Sequence, residues 1–484
     1  MKAPSPDEAG LRTPRRRVLL ANPPADHGVR QVREGRCMQR AGAWTAVWTP
    51  ISLAYCAAVL RDAGAEVALR DCIVEEIDFR QLAGIVADFR PDLVVLNVVT
   101  PSVESDLSTA EWIKCAHPAA RIAAIGIHGT ALPDSCFAMQ KALDFVVRGE
   151  PEFTVRDLAL GGLEDPGRVA GVSWARNGSV AHNPDRPFIA DLDALPFPAW
   201  DLIQRDRYLM PFTEERFLLV GTGRGCPFRC RFCADSAYYG KAVRLRAPVR
   251  VADELERNLS EYGIGQFLFW SESFTLNRSY AAAVADEIAR RRLPVRWVCN
   301  SRVDQVDADL LERFARAGCW MIGYGIESGS QEILDAMRKG TTLEQAAAAV
   351  AMAKQAGLQV TAHCVLGFPG ETRETAERTI EFLIAIDVDF AQFYCAVPFP
   401  GSELYADAER EGWISSRDWR RFEQNFSVLT TPTLAAEETM ELRRLAYRRF
   451  YMRPRTVWRT LRRVGNWGEA KRLAGMVRDF LTWV

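Results

Sequence analysis

Residues 221–235 read Gly-Thr-Gly-Arg-Gly-Cys-Pro-Phe-Arg-Cys-Arg-Phe-Cys-Ala-Asp and follow the apolar run Phe217-Leu-Leu-Val220. Cys226, Cys230 and Cys233 therefore share one short loop, separated by three and then two residues. Thiolates are the usual ligands of iron–sulfur clusters, and three this close can reach three corners of one cube. The fourth iron is then left without a protein ligand and open to a small molecule. The spacing departs from the paired Cys-x-x-Cys of structural zinc sites, which close with four ligands. Zinc, or no metal, is the alternative for three loop cysteines.

Downstream of this loop a rhythm of strand, loop and helix can be counted six times. The expected strands are Phe217–Val220, Gln266–Trp270, Val295–Cys299, Met321–Gly325, Val360–Val365 and Phe390–Cys395, with helices such as 278–291, 331–338, 343–356 and 374–386 between them. Six such units make an incomplete version of the eight-unit barrel, whose chemistry sits at the carboxyl ends of its strands. Upstream, strands at 17–21, 66–71, 92–98, 121–126 and 145–147 alternate with helices at 52–64, 78–89 and 104–116. That alternation predicts a doubly wound parallel sheet, which binds ligands beyond the carboxyl ends of its strands. The expected organisation is α/β throughout. It runs as a disordered leader over 1–14, the sheet domain over 15–160, a Pro- and aromatic-rich linker over 161–212, a partial (β/α)6 barrel over 213–435 and a basic helical tail over 436–484.

A chain of 484 residues with 48% hydrophobic residues and a net charge of −1 is long enough for two or three cores. It has no overall basic field to gather phosphates, which argues against nucleic acid as an obligatory partner. Twelve cysteines without a signal peptide do not read as a disulfide framework. With no apolar run of about 18 residues, the expected location is cytoplasmic. The tail holds Arg443, Arg444, Arg448, Arg449, Arg453, Arg455, Arg459, Arg462 and Arg463 among apolar residues. It fits either an anionic membrane surface or a solvated helical face packed on the barrel. Cys299, Cys319, Cys364 and Cys395 read as buried small apolar residues, and Cys37 as a passive thiol in a long loop, 29–48, that could cover a ligand.

The cysteine spacing, with Phe232 just before the last thiol, resembles the radical S-adenosylmethionine (SAM) superfamily. Asn22-Pro-Pro24, Thr49–Tyr55, Asp92–Ser102, Gly129–Pro133 and Asp144–Glu150 resemble the cobalamin-binding domain found upstream of that barrel in part of the superfamily. The group includes radical methyltransferases and the anaerobic magnesium-protoporphyrin monomethyl ester cyclase. The resemblance implies that Cys226, Cys230 and Cys233 hold a [4Fe-4S] cluster whose open iron binds SAM. It also implies that SAM lies against Phe232, Ser271, Glu272, Ser273, Asn300, Arg302, Glu327, Val365 and Gly367. Ser271–Ser273 would meet the methionine amine, Arg302 its carboxylate, Glu327 the ribose or amine, and the backbone at Val365 and Gly367 the adenine. Cobalamin would sit at Asn22, Pro23, Thr100, Ser102, Gly126, His128 and Gly129. The Asp-x-His-x-x-Gly motif that supplies a histidine ligand to cobalt is absent, so His27 and His128 read as loop residues, and a vestigial domain without corrin stays open.

The activity so implied is methyl transfer to an unactivated carbon, through a 5′-deoxyadenosyl radical and methylcobalamin. The alternative is oxidative cyclisation, rearrangement or C–C coupling without methyl transfer. Implied partners are a small-molecule, lipid or tetrapyrrole-like substrate and an external electron donor such as flavodoxin or ferredoxin. No substrate-side catalytic residue is identified.

Overall fold

The computed structural model describes residues 15–25, 28–34, 38–40, 46–176, 178–210 and 213–454. The expected leader, His27, Cys37, Trp44 and the part of the tail beyond Pro454 lie outside these residues.

The first sheet forms where short runs of β-branched and leucine residues can be buried on both faces. Its parallel strands are β1 (Arg17–Asn22), β2 (Glu66–Asp71), β3 (Leu93–Asn97), β4 (Arg121–Ile125) and β5 (Phe145–Val147). All five residues of β3 are buried, as a central parallel strand requires. The helices α1 (Ile51–Asp62), α2 (Phe79–Phe89) and α3 (Val103–Ala116) cross between them. Asp78 and Gln81 start α2 with a reciprocal capping box. Two further strands, β6 (Val172–Arg176) and β7 (Ser179–His182), come from the stretch expected as a linker. They join β5 as an antiparallel hairpin, giving the order β2-β1-β3-β4-β5-β6-β7. Part of 161–212 is thus built into the first sheet.

The second unit holds six parallel strands in sequential order: β8 (Phe217–Gly221), β9 (Gln266–Trp270), β10 (Arg296–Ser301), β11 (Cys319–Glu327), β12 (Gln359–Leu366) and β13 (Phe390–Cys395). Helices between them include α4 (Pro248–Tyr262), α5 (Arg278–Arg290), α6 (Ala308–Arg316), α7 (Leu343–Gln355) and α8 (Arg373–Ala385). An incomplete barrel leaves two strand edges with unpaired backbone groups, and side chains from outside satisfy both. At β8, Leu219 N–H donates to Thr49 Oγ1 of the first unit at 3.1 Å. At β13, a C-terminal helix α9 (Ala436–Tyr451) lays Arg443, Tyr447 and Tyr451 along the edge. Tyr451 Oη accepts from Ala391 N–H at 3.0 Å and donates to Ala391 O at 2.8 Å. Arg443 Nε donates to Phe393 O at 2.8 Å.

Arg443 belongs to the stretch expected as a basic tail, yet it is buried inside the molecule and also reaches Asn425 Oδ1 at 2.7 Å. From 436 to 451 the tail is a helix packed on the barrel. Cys299, Cys319, Cys364 and Cys395 are buried as expected, and burial pushes the Cys395 thiol up to about 12. One core runs across both units, from Val18 and Tyr55 to Phe217 and Trp297. Among the described residues, no helix is long and apolar enough to cross a membrane.

Candidate active site

The cysteine loop leaves β8 through a tight passage. Gly225 has φ +91°, and a Cβ there would lie 2.1 Å from the carbonyl oxygen of Ala242, so glycine is required. Cys226 N–H donates to Gly240 O at 3.2 Å and Cys233 N–H to Cys230 O at 3.1 Å. Arg231, between the second and third thiols, pins the loop to the barrel. Its backbone bridges Met337 O and Leu404 N–H, and its guanidinium pairs with Asp407 at 2.5 Å and Glu403 at 3.2 Å.

The three thiols are partly buried. Among the described residues, no three His, Cys, Asp or Glu side chains converge on a single-ion site. Thiolate is the usual cluster ligand, and three thiols on one short loop can each take one corner of a cube. The donor set therefore fits a three-cysteine cluster with one open iron.

The residues expected around SAM all lie at or just beyond the carboxyl ends of the strands. Asn300 and Ser301 belong to β10 itself, and Glu327 ends β11. Arg302 N–H donates to Ser273 Oγ at 3.3 Å, joining the second and third strand ends. The guanidinium of Arg302 is committed locally. It forms a two-point fork on Asp304 at 2.9 and 3.0 Å, donates to Lys339 O at 2.9 Å and lies 3.6 Å from the ring centre of Phe228 in the cysteine loop. That cation–π contact ties β10 to the cysteines, but the fork expected for a substrate carboxylate is taken by Asp304.

Glu327 sits at φ +65° beside a register break between Gly325 and Glu327. Its Oε1 accepts from Lys339 Nζ at 2.7 Å, a buried pair. Phe232 and Val365 share one apolar cluster with Phe368 and Met337. Gly367 N–H donates to Glu371, a buried carboxyl whose other oxygen has no partner. Burial raises Glu371 to about 8. Ser271 and Glu272 are largely buried just past β9, and Ser271 Oγ has no hydrogen-bond partner.

The residues expected around cobalamin gather at the carboxyl edge of the first sheet. Asn22 Oδ1 accepts from Asn97 Nδ2 at 3.0 Å, and Pro23 follows it, buried. Thr100 Oγ1 lies 3.2 Å from His128 Nδ1, and Ser102 Oγ donates to Asp106 at 2.8 Å. Asp106, fully buried, also receives both arms of Arg33 at 2.7 and 2.8 Å. Gly126 has φ +117°, and a Cβ there would meet Val98 O at 2.3 Å; at Gly129 a Cβ would meet Val146 Cγ1 at 2.9 Å. These two glycines hold the loop close to the sheet. His128 is buried, held neutral to about 4 by desolvation, and its Nε2 has no hydrogen-bond partner. The orphaned, buried Nε2 of His128 leaves one hydrogen-bonding position at this edge that a bound ligand would fit.

The two edges face one another. The helix Asp235–Tyr238 starts two residues after Cys233, and Ala234, Tyr238 and Tyr239 pack with Val99 and Ile127 of the first unit. A cleft also opens between α1 and the barrel, lined by Ser52 and Tyr55 on one side and Gly221, Arg224, Trp270 and Glu272 on the other.

Sequence reasoning missed Asp304, Lys339, Glu371 and Trp419. Asp304, two residues after an arginine, carried a local signal for a fork. Lys339 and Trp419 carried none, because only the fold brings them to Glu327 and, edge-on at 4.9 Å between ring centres, to His128.

Comparison with known proteins agrees with this layout. The family model described as Radical SAM superfamily matches residues 220–383, and that described as B12 binding domain matches 42–159. The chain is 32% identical over 443 residues to an uncharacterized methyltransferase of Pyrococcus horikoshii, covering 91% of this chain and 94% of that one. It is 28% identical over 416 residues to the anaerobic magnesium-protoporphyrin IX monomethyl ester cyclase of Rubrivivax gelatinosus, covering 84% and 74%. Its fold is similar to the radical SAM methyltransferase TsrM of Kitasatospora setae, solved with cobalamin and a [4Fe-4S] cluster. The TM-score there is 0.67 at 20% identity, over 90% of this chain and 85% of that one.

Proposed function

Because this chain belongs to the radical SAM superfamily, with a B12 binding domain ahead of its barrel, we propose that it is a cobalamin-dependent methyltransferase acting at an unactivated carbon of a small molecule. The observation that carries this reading is the packing of the helix after Cys233 against the loop after β4, which turns the cluster edge and the corrin edge toward each other. When bound, the cluster with SAM supplies a carbon-centred radical and the corrin supplies a methyl group.

The chain's own part is to hold and shield. Cys226, Cys230 and Cys233 would ligate three irons. Phe232, Ser271, Glu272, Ser273, Asn300, Glu327, Val365 and Gly367 would line the SAM site. Arg302 enters it through its backbone and its contact with Phe228 rather than through a free fork. Asn22, Pro23, Thr100, Ser102, Gly126, His128 and Gly129 would line the corrin site. The units packed on each other exclude water from the space between. An external one-electron donor, flavodoxin or ferredoxin, belongs to this reading. So does peripheral contact with an anionic membrane through the arginines after Arg453, which vesicle sedimentation would test.

The deciding experiment is anaerobic reconstitution with iron, sulfide and hydroxocobalamin, desalting, then incubation with SAM and dithionite. About four irons per chain, retained corrin absorbance and production of 5′-deoxyadenosine are expected. Iron without corrin would overturn the methyltransferase reading. Oxidative cyclisation, the reading that the 28% identity to the cyclase favours, predicts a product without an added methyl and no S-adenosylhomocysteine.

A further inference from the structure

The inner wall of the barrel over β10 to β13 carries a row of hydrogen-bonding side chains of which only Asn300 has a role above, at the SAM site. Strand register sets Asn300 beside Gly323 and Thr361, then Gly325 beside His363 and Gln392, then Val365 beside Tyr394. Asn300, His363 and Gln392 are partly exposed, whereas their strand neighbours Cys299, Cys364, Ala391 and Phe393 are buried against the helices. The row therefore faces the barrel interior.

Its members are tied together. Tyr394 Oη donates to Gln392 and lies 3.3 Å from His363 Nδ1, and the Tyr394 and His363 rings stack at 9° with centroids 5.9 Å apart. Gly323 supplies the room: a Cβ there would come within 2.4 Å of Asn300 Oδ1 and 2.8 Å of His363 Nε2. Across the interior the wall turns apolar at Leu268, Trp270, Val298 and Met321, and Trp48 of the first unit meets Trp270 edge-on at 5.0 Å. The row itself contains no Arg, Lys, Asp or Glu; the Lys339–Glu327 pair lies over Gly325 beside it, where a Cβ would meet Glu327 Oε1 at 2.5 Å and Lys339 Nζ at 2.8 Å, and Arg302 is paired with Asp304.

We propose that His363, Gln392 and Tyr394, next to Asn300 of the SAM site, are the specificity-determining wall of the substrate site, and that they take a neutral substrate with an amide, hydroxyl or carbonyl group on a flat apolar body. A carboxylate or phosphonate would lose its hydration there, and Lys339 and Arg302 are already paired with carboxylates. An analogue lacking the hydrogen-bonding group would leave wall groups unpaired, which is how such sites discriminate. This assignment rests on the barrel being the substrate chamber of the enzyme proposed above.

The test is equilibrium dialysis of the reconstituted full-length chain against 1-naphthylacetamide and 1-naphthylacetate, a pair differing chiefly in charge. The amide is expected to bind at least tenfold more tightly. Tyr394→Phe and His363→Ala should each weaken the amide at least fivefold with little effect on the carboxylate, and Gln392→Lys should invert the preference. Melting temperatures identify any variant that fails to fold. Equal or tighter carboxylate binding, binding of neither probe, or a Gln392→Lys protein that folds and keeps the original preference would each overturn the assignment. Production of 5′-deoxyadenosine by the wild type in the same preparation reads the enzymatic proposal separately. Its absence would sink that proposal whatever the probes do, and its presence without a probe preference would sink only the wall.

Discussion

In the proposed site each cysteine of the 226–233 loop would supply a thiolate, the usual ligand of such a cluster, which alanine cannot replace. Cys230→Ala should lower reconstituted iron and abolish 5′-deoxyadenosine formation; a variant that still made it would refute the cluster assignment. Glu371 makes a prediction about pH. Its folded pKa of about 8 lies above the ordinary carboxylate range, so the folded protein keeps a proton that the unfolded chain has lost, and stability falls as pH rises toward 8. His128 works the other way. Held to about 4, it lowers stability as pH drops below the ordinary imidazole value of about 6.5. Above that value Glu371 acts without this opposition. Glu371→Gln should therefore flatten the decline of melting temperature between about pH 6.5 and 8.5, and parallel wild-type and variant curves would contradict the burial argument.

The strands and helices followed from hydrophobic pattern, and all six barrel strands lie where periodicity put them, displaced by at most two residues at an end. What pattern did not disclose is how an incomplete barrel ends. The edge of β8 is satisfied from 170 residues upstream by Thr49, and that of β13 by tyrosines of α9 some 60 residues downstream. Thr49→Val and Tyr451→Phe keep volume but strand backbone groups, each costing about 1–3 kcal/mol. Both should melt earlier, and Tyr451→Phe should retain 5′-deoxyadenosine formation per reconstituted cluster. Unchanged melting would mean that water replaces these hydroxyls. The arginine-rich helix shows the same limit from the other side. Composition cannot separate Arg443, buried on Phe393 O, from arginines that face solvent.

At the scale of the molecule, the units are joined by buried ion pairs as well as by a shared core. Arg224, on the approach to the cysteine loop, pairs with Glu150 at 3.0 Å and Glu152 at 2.5 Å, and Arg244 pairs with Glu150 at 2.8 Å. Arg224→Leu leaves Glu152 unpaired in the interior and should destabilise by about 3–5 kcal/mol. Faster tryptic cleavage between the units would report the loss, and unchanged protection would show that apolar packing alone holds them. The sequence by itself determined the order of units and the identity of the barrel, and it put forward the cluster ligands, because these rest on period, burial pattern and thiols that are neighbours along the chain. Only the tertiary structure decided which charges are already spent and which remain for ligands. Arg302 goes to Asp304, Lys339 to Glu327 and Arg224 to Glu152, while Asn300, His363 and Tyr394 share one wall. Apart from Asp304, which stands two residues from Arg302, strand register and helix packing set those partners, and no local spacing encodes them.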